Sequence, residues 1–304
     1  MPASAGDAYR ERVTHHQHTH THHQHAEQAT EEQFTEEQWG DLLDLDADVL
    51  ADHLAALVAD LPIERAPQRI VDLGAGTGSG TFALLTRFPD AHVTAVDVSA
   101  ENLRRLRANA EARGVADRVH TVEADLDADW PDLGTPDLVW ASASVHHLAD
   151  PDGALRTIRD LLAPGGLLAL VELTDFPRFL PEDQPTERPG LEERCHAVIH
   201  TATTEHVPHL GADWSGTLTS AGFTVKGERD VSMVIAAGAS PSVGPYARTT
   251  LGRIRETVGE RLDPEDLAAL DRLIDADGPQ SILHRDDVEV RTERQVWAAV
   301  AADA

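Results

Sequence analysis

Apolar positions first keep a helical period and then alternate between strand and helix. Trp39, Leu42, Leu43, Leu50, Leu54, Leu57, Val58 and Leu61 recur every three or four residues, an amphipathic helix that Pro62 and Pro67 end. From Arg69 onward short apolar runs alternate with helical stretches. RIVDLG is a strand, TGSGTFALLTRF a helix and HVTAVDV a second strand. SAENLRRLRANAEARG is a helix with Ser99 as N-cap and Gly114 as its stop. RVHTVEADL and PDLVWASAS give the third and fourth strands, and Asp150 with Pro151 opens the helix DPDGALRTIRDLL. APGG then turns the chain into a fifth strand, LLALVEL. Strand–helix units of this length predict a parallel sheet covered on both faces.

The remainder is less regular. Pro181 to Asp213 is rich in Pro, Glu and His around one helical piece, LEERCHAVIHTA. WSGTLTSAGF is a helix ending at Gly222, followed by the strand TVKGERDVSMVI. Two amphipathic segments come next, ARTTLGRIRETVGERL and PEDLAALDRLIDAD, the second capped by Asp263. VEVRTERQVWAAVA closes the chain as an alternating strand. The first thirty-odd residues are polar, with nothing to bury. The expected organisation is a disordered His-rich tail (1–33), an N-terminal helical segment (34–66) and a main α/β domain (67–304) with insertions near 181–213 and 241–287.

Charge narrows the partners. A formal net charge of −28 argues against nucleic acid, whose phosphates need Lys and Arg, and suits a cationic or neutral small ligand. Lys226 is the only lysine, a bias of composition rather than of chemistry. Cys195 is the only cysteine, so no internal disulfide forms and a reducing compartment is expected. Neither a signal-peptide core nor a membrane-spanning run is present, which makes the expected location cytoplasmic. Nothing in the sequence sets an oligomeric state.

The stretch VDLGAGTGSG places Asp72 immediately ahead of closely spaced glycines. In an open parallel sheet ligands sit outside the carboxyl ends of the strands. Asp72 lies at the end of the first strand, Asp97 at the end of the second and Asp125 at the end of the third, so three carboxylates reach one crevice. A pyrophosphate would meet like charge there. Gly74, Gly76 and Gly78 moreover give GxGxG, not the GxGxxG of a nicotinamide dehydrogenase. A ligand with hydroxyls, an amino group, an exocyclic amine and a positive sulfur suits all three acids, and S-adenosylmethionine is such a ligand.

VDLGAGTGSG, AVDVS, VEADL, PDLVWASASVHHLADP and LLAPGGLLALVE follow in that order between about Arg69 and Leu173. Over this stretch the chain resembles the class I S-adenosylmethionine-dependent methyltransferases, especially the branch of quinone-biosynthesis and small-molecule enzymes. The resemblance implies a doubly wound, Rossmann-like seven-stranded sheet, its parallel strands closed by an antiparallel C-terminal hairpin. That hairpin matches the strands near Val231 and Val296, here interrupted by the helical insertion Pro241 to Asp287. It implies S-adenosylmethionine as cofactor, with Asp72 at its methionine end and Gly74, Ala75, Gly76 and Gly78 allowing close backbone approach. Asp97, with Val98 beside it, is implied at the ribose hydroxyls, Asp125 and Leu126 at the adenine, and Ser142 beside the transferable methyl.

A methyl acceptor of small size is then expected, with neither nucleic acid nor membrane insertion involved. If a general base serves it, His146 is the first choice and Glu172 the second, whereas His147 braces the loop. His196, His200, His206 and His209 are expected at the surface, with a place in the lining of an acceptor pocket as the alternative for His209. The domain shows no metal-ligand set. The seven histidines between His15 and His25 form a flexible tail, with weak divalent-metal binding as the alternative. A cofactor-sensing or metal-responsive binding protein on the same fold is the alternative function.

Overall fold

A computed structural model describes residues 34–203, 207 and 209–302, so the expected His-rich tail lies outside the described residues. Its strands are β1 (Arg69–Leu73), β2 (His92–Asp97), β3 (Val119–Glu123), β4 (Leu138–Ser142), β5 (Leu167–Leu173), β6 (Phe223–Ala236) and β7 (Glu289–Ala301). They form one seven-stranded sheet in the order β3-β2-β1-β4-β5-β7-β6. β1 to β5 pair in parallel, while β7 runs antiparallel to both β5 and β6. This is the expected doubly wound sheet with its closing hairpin. The strand order reverses between β1, which continues to β2 on one side, and β4 on the other.

The helices are α1 (Glu36–Ala59), α2 (Ser79–Arg87), α3 (Ala100–Ala112), α4 (Pro151–Leu161), α5 (Leu191–Thr203), α6 (Trp214–Ser220), α7 (Val243–Val258) and α8 (Pro264–Ile274). Local chemistry starts them where the sequence predicts. Ser99 accepts the Asn102 N–H at the head of α3, Asp150 that of Gly153 at α4, and Asp263 that of Glu265 at α8. Thr35 and Gln38 form a capping box at α1. α7 begins at Val243, ahead of the expected Ala247, because Pro245 falls in its first turn, where a missing N–H does no harm. β3 stops at Glu123, in register with Asp97, which leaves Asp125 in the following turn.

Three large apolar cores result. One face of the sheet packs Val139, Leu168, Leu170 and Trp297 against Leu155 and Ile158 of α4 and Trp214 and Leu218 of α6. The other packs Ile70, Trp140, Val171 and Val296 against Leu57 and Val58 of α1 and Leu84 and Leu85 of α2. The third core explains the insertions. β5 ends opposite Arg294, but β7 continues back to Glu289, still paired with β6. This overhang contributes Met233, Ile235 and Val290 to a core shared with α1, α5, α7 and α8. The two insertions therefore form one cap rather than two loose segments. His196, expected at the surface, is buried on α5 beside Phe176, because α5 faces this cap with its 196 position inward. No helix among the described residues is long and apolar enough to cross a membrane.

Candidate active site

The apolar run of β1 delivers the chain into a glycine loop at the strand-order reversal. Gly74 has φ +68°, and a Cβ there would lie 2.4 Å from that of Ser144. Gly76 has φ +54° and donates its N–H to Asp97 Oδ2 at 2.8 Å. Only glycine combines that backbone with such close approach. Asp97 also accepts the N–H of Ser99 at 2.9 Å and Asn102 Nδ2 at 3.2 Å. Three of its roughly four acceptor positions thus tie the ends of β1 and β2 together, leaving about one facing outward. Next to it Val98 is 68% exposed, an apolar side chain standing free at the mouth of the crevice.

Asp72 lies behind the loop. It is 2% exposed and accepts the Thr81 hydroxyl at 2.6 Å. Burial pushes its carboxyl up to about 7, with repulsion from Asp97 adding to the shift and the Thr81 bond opposing it. Asp125 is exposed beyond β3 and accepts the Asp127 N–H, and Leu126 follows, half-buried. Ala75 is buried within the loop.

At the carboxyl end of β4, Ser142 is half-buried and Ala143 takes a left-handed φ of +52°. A non-glycine residue there holds local strain, and the surroundings fix it. The Ala143 N–H donates to Val171, and the Ser144 hydroxyl donates to Leu73 at 2.9 Å. The next turn is clasped by Glu172 of β5. Glu172 Oε1 accepts the Val145 N–H at 2.9 Å, and Oε2 lies 2.5 Å from His146 Nδ1. Glu172 is 1% exposed and His146 3%. A carboxylate on Nδ1 selects the tautomer with its proton there, which leaves Nε2 as the acceptor. The His147 ring lies 4.1 Å from that of His146 and keeps an exposed edge. Burial, then the charges of His146 and Arg253, lowers its pKa and keeps it neutral at pH 7.

The crevice is roofed by α1. Leu43 faces Gly76, and Arg105 of α3 binds Asp41, Asp44 and the Glu37 carbonyl, so α1 is held across the loops. Arg253 of α7 lies 3.8 Å over the Trp39 ring. Two cavities of about 170 and 200 Å³ lie elsewhere, around Pro185 and Leu273 and around Asp48 and Ala239, and neither includes a glycine-loop residue. Among the described residues no group of three or more His, Cys, Asp and Glu could hold a metal ion.

The structure thus brings Asp72, Gly74, Ala75, Gly76, Gly78, Asp97 and Val98 together at one strand-order reversal, with Ser142, His146 and Glu172 across the crevice and Asp125 and Leu126 at its far end. Sequence reasoning did not find Thr81, Asn102, Ala143 or Ser144. Thr81 sits nine positions beyond its partner and Ser144 packs on a glycine of another loop; neither spacing carries a local signal.

A family model for a methyltransferase domain matches residues 71–168, the span from this glycine loop to β5. Residues 71–168 thus form a methyltransferase domain of the S-adenosylmethionine-dependent kind. The methyltransferase region is similar to demethylmenaquinone methyltransferase of Thermus thermophilus, 39% identical over 120 residues, 39% of this chain and 53% of that one. It is also similar to 27-O-demethylrifamycin SV methyltransferase of Amycolatopsis mediterranei, 32% identical over 184 residues, 60% of this chain and 62% of that one. The matched stretch takes in less than two thirds of either relative's length. In fold alone it is like the [4+2]-cyclase SpnF, at 22% identity and a TM-score of 0.51 over 83% of this chain and 82% of that one.

The residues present fit the family's cofactor. The glycine loop leaves room where a Cβ would collide, Val98 offers an unpaired apolar surface, and the two inner acids favour positive charge and hydroxyls over phosphate.

Proposed function

We propose that this protein transfers a methyl group from S-adenosylmethionine to a small-molecule acceptor. The observation that carries the reading is the pair of carboxyl groups at the strand ends. Asp72 and Asp97 are both buried beside the glycine loop, and neither forms an ion pair among the described residues. Gly74 to Gly78 would hold the methionine end with Asp72 behind it. Asp97 and Val98 would hold the ribose and one face of the base, Asp125 and Leu126 the adenine, and Ser142 the region of the methyl. When bound, the cofactor supplies a methyl group already activated by positive sulfur.

What remains for the chain is alignment, exclusion of water and, for a poorly acidic hydroxyl, removal of a proton. Alignment can supply about 7–11 kcal/mol of the barrier. The α1 roof, through Leu43 and Trp39, keeps water from the crevice. His146, fixed by Glu172, takes a proton at Nε2. Glu172 has both oxygens engaged and is therefore a positioning residue. A cytoplasmic location suits the free, buried thiol of Cys195.

Calorimetric titration of Asp97→Ala with S-adenosylmethionine tests the cradle. Loss of a carboxylate that pairs with hydroxyls removes about 1.5–3 kcal/mol, or about 10- to 150-fold in affinity. Unchanged affinity would sink the assignment. S-adenosylhomocysteine formation with an acceptor panel tests the reaction, and a 14 Da mass gain identifies the product. Tight cofactor binding with no turnover on any acceptor would favour the sensing alternative.

A further inference from the structure

Arg294 is a buried cation with an unused edge. It lies on β7 directly opposite Leu173, the last residue of β5, and so at the carboxyl border of the parallel strands where ligands bind. It is 8% exposed. Its Nη1 donates to the Thr292 hydroxyl at 2.6 Å and to the Glu293 carbonyl at 3.3 Å. Nε and Nη2 have no hydrogen-bond partner among the described residues, and no described carboxylate lies within 4.0 Å of the guanidinium. The chain carries 53 acidic residues against 25 basic ones, so a shortage of acids does not explain the missing counter-ion. A buried guanidinium is normally paired, and its planar fork matches a carboxylate in two parallel hydrogen bonds.

The surroundings place this edge in the acceptor half of the crevice. Tyr246 of α7 donates its hydroxyl to Asp46 of α1 at 2.7 Å, which occupies the acid of this wall. Arg294 and Arg253 both act on the Tyr246 hydroxyl, and Arg253 also acts on His147. Tyr246 thus has Arg294 and Arg253 as charged neighbours, and His147 has Arg253. In the sheet, β7 stands two strands from β4, which bears the histidine turn, and three from β1, which bears the glycine loop. At about 4.8 Å per strand, these separations are roughly 10 Å and 14 Å. An anionic group at Arg294 would thus sit toward the β5–β7 side of the crevice, away from the loops after β2 and β3.

We propose that the acceptor is a small carboxylic acid whose carboxylate is held by the free edge of Arg294. The proposal rests on the methyltransferase reading and names the substrate class of that site. The cofactor's own carboxylate is the other source of the same chemistry, and the strand separation favours the acceptor.

The test uses the full chain and a panel of acids matched with their primary amides: benzoate, 4-hydroxybenzoate, hexanoate and succinate. Binding is measured by calorimetry with and without S-adenosylhomocysteine. At least one acid should bind about 10-fold or more tighter than its amide. Arg294→Gln should erase that preference and leave S-adenosylhomocysteine affinity within about 2-fold, since the cradle is untouched. Arg294→Lys, which keeps charge but loses the fork, should retain part of the preference, and it decides the matter if the Gln variant does not fold. A panel in which no acid outcompetes its amide overturns the proposal, as does a preference that survives Arg294→Gln. Weakened S-adenosylhomocysteine binding with an unchanged acid preference would assign the fork to the cofactor and overturn it too. Should the parent bind no S-adenosylhomocysteine, the methyltransferase reading fails, while the arm without nucleoside still reports on Arg294.

Discussion

Asp72 is held against Thr81 with no cation beside it, and burial raises its carboxyl to about 7, against 3.8 for the free side chain. The folded protein therefore keeps a proton that the unfolded chain has lost. Its contribution to stability falls as pH rises from about 4 to about 7 and is flat above that. Asp72→Asn should raise the melting temperature most at pH 8 and least near pH 4, and thermal scans at both pH values check this. A positive sulfonium favours the ionised form, so S-adenosylmethionine affinity should climb as pH rises through 7. S-adenosylhomocysteine, without that charge, should show a shallower slope, and Asp72→Asn should flatten both. Across the crevice, His146→Ala should slow turnover by no more than about 10⁴-fold, with cofactor affinity nearly intact. Full rate in that variant would make His146 a bracing residue and leave catalysis to positioning alone.

Among the elements, the cap and the sheet divide the work. On the proposed reading the loops after β1, β2 and β3 hold the cofactor, whereas α1, α5 and α7 meet over the β6–β7 overhang. Hydrogen exchange should report this division in two steps. Cofactor alone should protect the loops at Gly76, Asp97 and Asp125, and an acceptor should add protection in α5 and α7. Acceptor-dependent protection confined to the β3 edge would overturn that assignment. Much of this level was legible beforehand. Ser99, Asp150 and Asp263 marked helix starts because a cap is a contact between residues two or three positions apart. The start of α7 was not, because Pro245 masks a turn that only burial of Val243 and Tyr246 secures.

At the scale of the whole molecule, the net charge of −28 and the histidine tract are properties of the chain rather than of the site. A variant beginning at Thr30 should keep cofactor affinity and turnover, with or without a chelator, because every residue assigned to the crevice follows it. Loss of activity in both arms would bring the tract into the mechanism. Loss with the chelator only would instead reveal a metal requirement.

The sequence by itself determined the parts of this protein that depend on near neighbours. The alternation of period set the order of strands and helices, and the acids at strand ends with the glycines between them set the kind of ligand the crevice accepts. Only the tertiary structure decided what depends on distant partners. Glu172 reaches back to His146 across 26 positions, and Ser144 closes on Leu73 across 71. β7 slots between β5 and β6, which places Arg294 beside Leu173. No local pattern specifies such pairings. Strand register is set by which face must be buried and by the shape of everything else packed on it. The left-handed Ala143 belongs to the same class, since nothing in its own side chain favours that backbone and the packed loops around it hold it there.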